Sequence, residues 1–182
     1  MTKVDRRVVK TKEAIKKAIL ELMNEKNFDE ITIQDISDRA NVNRSTVYLH
    51  YLDKFDLLDK LIEDHINKLK EKNEWACQEE WGDATQIFFE YFRNHYLFFS
   101  TMLTSKEAAP SFRSKFLKYV MEGFKEELHN TNGKNEGLNE DVIIKFAANA
   151  YVGVLESWLK DGMPSPPQSI ARELGTLLDR IL

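Results

Sequence analysis

Four side chains carry the chemistry that this sequence offers: Arg44, Ser45, Thr46 and, eight residues on, Lys54. Two are cations and two are small hydroxyls. Together they suit the edges of bases and the oxygens of phosphates better than any bond-breaking reaction. A guanidinium can pair bidentately with a guanine edge or with a phosphate, and the sequence leaves both open for Arg44. Lys54 falls at the first turn of a helix that Asp53 can cap, where the positive end of the helix dipole already favours an anion.

Such groups act only if something rigid presents them, and residues 31–58 read as that support. Thr32 is placed to cap a short helix, with Asp35 three residues on as a variant capping box. Ile33, Ile36 and Ala40 give this helix one apolar face. Asn41 stands at the following turn, where a left-handed residue is expected. Asn43 can then cap a second short helix, Arg44 to His50. Two short helices around a tight turn, the second with a polar and cationic amino end, make the arrangement with which a helix-turn-helix enters a major groove. Val47 either faces inward or meets a thymine methyl.

With these residues in view, the stretch resembles the DNA-binding segment of the tetracycline-repressor (TetR) family of bacterial transcriptional regulators. The matching positions are Ile31-Thr32-Ile33, Asp35-Ile36, Ala40, Val42, Ser45-Thr46, Tyr48, His50-Tyr51, Lys54 and Leu57-Leu58. Asn27 and Asn41 depart from the family, standing where its members usually have Gly; both are expected to adopt positive φ. The resemblance implies that Tyr48 and His50 lie on the backbone side of the surface, Tyr51 in the core, and Lys54 against a phosphate. The expected DNA-facing set is Thr32, Asn43, Arg44, Ser45, Thr46, Tyr48, His50 and Lys54. For His50, a packed or hydrogen-bonded histidine without a DNA role is the stronger reading, and no partner at metal-ligand spacing accompanies it.

A net charge of −4 would oppose nucleic-acid binding if it were evenly spread. Residues 1–50 instead hold ten Lys/Arg against eight Asp/Glu, and residues 51–182 hold sixteen against twenty-two. The arm before the helix-turn-helix is basic, with Lys3, Arg6, Arg7, Lys10, Lys12, Lys16 and Lys17 against Asp5 and Glu13. Clustered cations can neutralise phosphates even in an acidic chain. Thr11 could reach a phosphate or be plain surface.

The remaining pattern is helical throughout. A first helix is expected from Val9 to Lys26, and the helix begun at Lys54 should run to about Lys72. Further helices are expected over 83–93, 94–104, 109–130, 140–161 and 168–182, with a polar link at 131–139. The fold class is therefore all-α: a three-helix DNA-binding domain with a helix-turn-helix over 1–53, and a carboxy-terminal helical bundle over 54–182, about nine helices in all. The bundle gathers the aromatic residues. By resemblance, a pocket for an apolar or aromatic effector is expected among Phe88, Phe92, His95, Tyr96, Phe99, Met102, Phe116 and Tyr119, where a plain aromatic core is the competing reading. The last two helices resemble the pair with which family members dimerise, and Tyr151, Val152, Leu155, Trp158, Leu174 and Leu178 are the expected interface; that both helices cover the protomer's own core is the lesser reading.

The expected partners are thus a palindromic double-stranded operator, a second copy of the chain and a small molecule. Repressor is the leading role. An activator, an effector-independent regulator, or a ligand-binding protein without an operator remain alternatives. The chain offers no Ser/His/Asp set, metal cluster, phosphate loop or Gly-rich fingerprint, so neither an enzyme, a cofactor nor a metal is expected. Lone Cys77, no apolar run near the roughly 20 residues that span a bilayer, and no secretory signal lead to a cytoplasmic expectation.

Overall fold

The computed structural model describes residues 6–76, 81–104, 108–128 and 135–182. Lys3, Asp5, Cys77, His129 and residues 131–134 of the polar link lie outside the described residues. Among those described there are nine α-helices and no strand, as the periodicity predicts.

Helix α1 (Arg6–Glu25) turns Ile15, Ala18, Ile19 and Leu22 inward and packs on α2 (Ile33–Ala40), which in turn meets α3 (Arg44–Tyr48). Ile36, Val47 and Leu57 of this small core are fully buried, and Tyr51 is buried beside them. Phe28 opens a 3-10 turn (Phe28–Glu30), Ile31 follows it, and both are buried at the base of this core. Asn27 corrects an expectation. It precedes that turn at φ −60° and ψ 142°, an extended conformation, because it opens a new turn rather than closing α1 in the left-handed region. The second short helix also stops at Tyr48, two residues before His50.

Helix α4 (Lys54–Ala76) leaves this head and enters the body. There it meets α5 (Trp81–Asn94) and α7 (Ala108–Leu128), while α6 (Tyr96–Thr104) packs on α1, α7 and α8 (Glu140–Lys160). Helix α9 (Pro167–Ile181) starts with Pro at its first position and lies along α5 in the most extensive contact of the molecule. Phe89, Phe92, Phe99, Phe112 and Phe116 fill the centre of the body and are all but fully buried. Their rings meet largely edge to face, as at Phe92–Phe99, with centroids 4.8 Å apart and planes at 76°. Gly162, at φ 76°, closes α8, and the Met163 N–H then reaches back to the Trp158 carbonyl at 2.8 Å.

Helix α8 departs from the expectation of no membrane-length apolar run. Its 21 residues, with mean hydropathy 1.3 in the most apolar window, are long and apolar enough to cross a bilayer. Half of that window is buried inside the protein, as in the central helix of a bundle.

Candidate nucleic-acid interface and interior pocket

The head is set by its turns. The Thr32 Oγ1 accepts from the Asp35 N–H at 3.1 Å, and the Asp35 carboxylate accepts from the Thr32 N–H at 2.8 Å, a complete capping box. Lys26 lies 2.9 Å from the same carboxylate. Lys26 first, then the Thr32 hydroxyl and N–H, hold the Asp35 pKa down to about 2. Asn41 is left-handed, at φ 52° and ψ 49°, and the Val42 N–H reaches the Ser37 carbonyl at 3.0 Å. That closure ends α2 and fixes the angle at which α3 leaves. Arg39 forks onto Glu25 at 2.9 and 2.6 Å and ties α2 back to α1.

Helix α3 presents Arg44, Ser45 and Tyr48 outward and buries Val47 completely, so the inward alternative for Val47 holds. Asn43 stands in the extended conformation at the cap position; its carbonyl accepts from the Thr46 N–H, but its side chain makes no capping bond. Arg44 folds along its own helix, donating from Nη2 to the Tyr48 hydroxyl at 3.1 Å with its guanidinium 5.5 Å from the ring centre. Thr46 is half-buried, as is His50, whose ring meets Tyr51 edge on. Thr32 is exposed, but its oxygen serves the cap.

Lys54 is placed differently from its expected phosphate contact. Its Nζ donates to the carbonyls of Phe28 and Asp29, both at 2.8 Å, and stands over the Phe28 and Phe55 rings. It thus clamps the end of the 3-10 turn. Asp53 caps α4 as expected, accepting from the N–H groups of Phe55 and Asp56. Sequence reading missed three exposed apolar side chains beside this surface, Leu49, Leu52 and Phe55, exposed by 79%, 80% and 54%. Their signal is position: Leu49 and Leu52 fall on α3's end and the following turn, and Phe55 on the first turn of α4, off every buried stripe.

Head and body are joined by side chains as well as by α4. Lys16 of α1 pairs with Asp64 of α4 at 2.7 Å; burial lowers the Lys16 pKa, but this ion pair prevails and raises it. The Asn24 Nδ2 of α1 donates to the Thr101 Oγ1 of α6 at 3.1 Å, while Thr101 donates to the Leu97 carbonyl. Deeper in the body, His65 of α4 stacks on Phe98 at 3.8 Å and shares a 2.7 Å hydrogen bond with the Tyr91 hydroxyl. Burial lowers the His65 pKa to about 3, so the imidazole is neutral.

The body holds a cavity of about 90 Å³. Phe88 and Phe92 of α5 and Phe116 and Tyr119 of α7 line it, four of the eight expected residues. The other four are elsewhere. Phe99 and Met102 are fully buried in the packed core, Tyr96 is partly exposed, and His95 faces a separate surface groove with Lys68, Lys72 and Glu90. Their spacing matched a helix face, but that face is not the one turned to the cavity. Asn73, Trp81, Thr85, Tyr151 and Leu178 also contribute to the wall. Thr85 was legible in principle, as a lone hydroxyl on the stripe that continues through Phe88 and Phe92.

The expected dimer residues need the same correction. Tyr151, Val152, Leu155, Trp158, Leu174 and Leu178 are all buried within the protomer's own core, between 0 and 6% exposed, and cannot meet a partner. The apolar side chains left outside on these two helices are Val142 and Phe146 of α8 and Leu177 of α9.

Two family descriptions match the chain: "Bacterial regulatory proteins, tetR family" over residues 15–61, and "Transcriptional regulator C-terminal region" over residues 79–180. An uncharacterised helix-turn-helix-type transcriptional regulator of Bacillus subtilis, YxbF, is 29% identical over 97% of this chain. The match spans 46% of that relative, so the chain covers about half the length of the curated protein it resembles. A TetR transcriptional regulator from Streptococcus agalactiae shares 26% identity over 96% of both chains, with a TM-score of 0.70. FadR from Bacillus subtilis, solved in complex with stearoyl-CoA, has the same fold at 16% identity and TM-score 0.65, over 91% of this chain and 96% of that one. On these matches the protein belongs to the TetR family of bacterial regulators.

Proposed function

We propose that this chain is a sequence-specific DNA-binding transcriptional regulator, a homodimeric repressor whose hold on a palindromic operator is set by a small molecule in the body cavity. One observation carries the reading. Capping box, left-handed Asn41 and clamped Lys54 together present a short helix whose outward face is Arg44, Ser45 and Tyr48. That face matches the amino end of a recognition helix in a major groove. Arg44, swung away from Tyr48, reads a base edge or a phosphate; Asn43, Ser45, Thr46 and the rim residues Thr32, Tyr48 and His50 position the head. Lys54 serves this surface from behind, by holding the Phe28 and Asp29 carbonyls.

The dimer forms across the outer faces of α8 and α9. Val142 and Phe146 lie four residues apart on one stripe, and the small Ala150 continues it, which lets a second helix approach closely. A two-fold pair then sets its reading heads about 34–36 Å apart, one helical turn of DNA. The cavity lies beside α4, which starts at the head. A ligand that favours one placement of α4 therefore shifts the spacing between heads, by no more than its difference in affinity for the two states.

The test is a mobility-shift titration of the full chain on the DNA upstream of its own gene, with shuffled DNA as competitor. Selective retardation at physiological salt is expected. Folded protein that binds both DNAs equally would remove the proposal.

A further inference from the structure

The cavity wall has two kinds of chemistry. Most of it is ring and hydrocarbon, but Asn73, Thr85 and Tyr151 also line it and bring a carboxamide and two hydroxyls. Thr85 and Tyr151 are only 3% and 6% exposed. Among the described residues neither hydroxyl makes a protein hydrogen bond, and neither does the Asn73 side chain. Every fully enclosed side-chain nitrogen or oxygen among those residues does have a partner. The Thr85 and Tyr151 oxygens are therefore open to the cavity itself. A buried polar group without a protein partner is costly, so these two oxygens call for an occupant that can hydrogen-bond.

Charge narrows the choice. Among the described residues no Asp, Glu, Lys, Arg or His lines the cavity. An ionised ligand would lose its hydration there and find no counter-charge. Burial also pushes the Tyr151 pKa far above the usual tyrosine value, so its hydroxyl stays a proton donor at any working pH.

We infer that the cavity takes a small uncharged molecule of one aromatic ring bearing a hydroxyl or amide group, bound by Thr85, Tyr151 and Asn73 and packed against Phe88, Phe92 and Phe116. Asn73 supplies both donor and acceptor, and the two hydroxyls turn to suit either. At about 90 Å³ the cavity is smaller than the roughly 150 Å³ that accommodates benzene in an engineered core. A whole ring therefore presses on the wall as it enters. Asn73 puts α4 in that wall, so the pressure is delivered to the helix that begins at Lys54.

This inference rests on reading the cavity as the effector site, and the experiment separates the two. Binding of benzyl alcohol, benzamide, toluene, benzoate and benzylammonium to the full chain is measured by calorimetry, alongside release of retarded DNA. The two neutral polar probes are expected to bind at least about tenfold more tightly than either ion. Thr85→Val and Tyr151→Phe keep the shape of the wall. Each should weaken benzyl alcohol about tenfold, the value of one buried hydrogen bond, and leave toluene within about twofold. Ions that bind as well as neutral probes, variants that do not discriminate, or no binding by any probe would each overturn the inference. Should either variant fail to fold, the comparison of neutral and ionic probes on the unaltered chain decides. Neutral binding that saturates without releasing DNA would leave the ligand class standing and defeat the effector reading instead.

Discussion

Gly175 of α9 lies so close to Gly82 of α5 that a β-carbon at 175 would stand 2.7 Å from the Gly82 Cα and 2.8 Å from the Trp81 carbonyl oxygen. Backbone on both sides leaves no side chain to rotate away. Gly175→Ala gains about 1 kcal/mol of helix propensity in isolation, yet the clash must separate α5 from α9, at a cost of roughly 1–3 kcal/mol or more. The clash wins. Thermal unfolding of the variant should show a lowered midpoint, and an unchanged or raised one would mean that the two helices slide freely.

The head should lose stability in acid through one carboxylate. Asp35 has its pKa lowered from 3.8 to about 2 by Lys26 and Thr32. A depressed pKa stabilises the fold above the ordinary value, and that contribution disappears as pH falls through 3.8 toward 2. Following the unfolding midpoint from pH 5 downward should give a steeper fall for the natural chain than for Asp35→Asn. Parallel curves would deny the box its electrostatic part. Thr32→Ala, which removes the reciprocal half, should cost about 1 kcal/mol at neutral pH.

Arg44 and Lys54 should behave differently towards salt and sequence. Arg44→Ala is expected to lower the preference for operator over shuffled DNA by roughly 1–3 kcal/mol. Lys54→Ala should weaken binding to both DNAs alike and lower the unfolding midpoint, because it unclamps the Phe28 and Asp29 carbonyls. The slope of log K against log salt should stay put for Lys54→Ala. A drop of about 0.9 would instead mark Lys54 as a phosphate contact.

The outer stripe of α8 gives the fourth prediction. Phe146, 63% exposed, should yield a monomer on substitution by Glu, read by analytical ultracentrifugation, with helicity retained. Dimers that survive Phe146→Glu and Val142→Glu together would place the interface on another surface.

Much of this arrangement was legible because it depends on local chemistry. The Thr32–Asp35 pair, Asn41 at the turn and Asp53 as a cap are each short-range arrangements, and each stands where residue type places it. The misreadings all concern facing. On α8 the apolar residues run almost all round, so periodicity shows that Trp158 and Phe146 are both apolar but not which of them meets the protomer's own core. Phe99 and Phe116 are likewise equivalent in sequence and both are buried, and only the packing of α6 and α7 brings the second to the cavity wall as well. Lys54 illustrates a third limit: a long flexible side chain can turn away from the surface its backbone borders, and here two carbonyls hold it.

The Asn24–Thr101 contact has a mechanical consequence. With α4 as one attachment and α6 reaching α1 as the other, the head is held by two struts rather than hung from a single stalk. A body fixed at two points swings only about the line that joins them. Movement of the head is thereby reduced from a general wobble to a single rocking coordinate, and a push on either strut is felt by both.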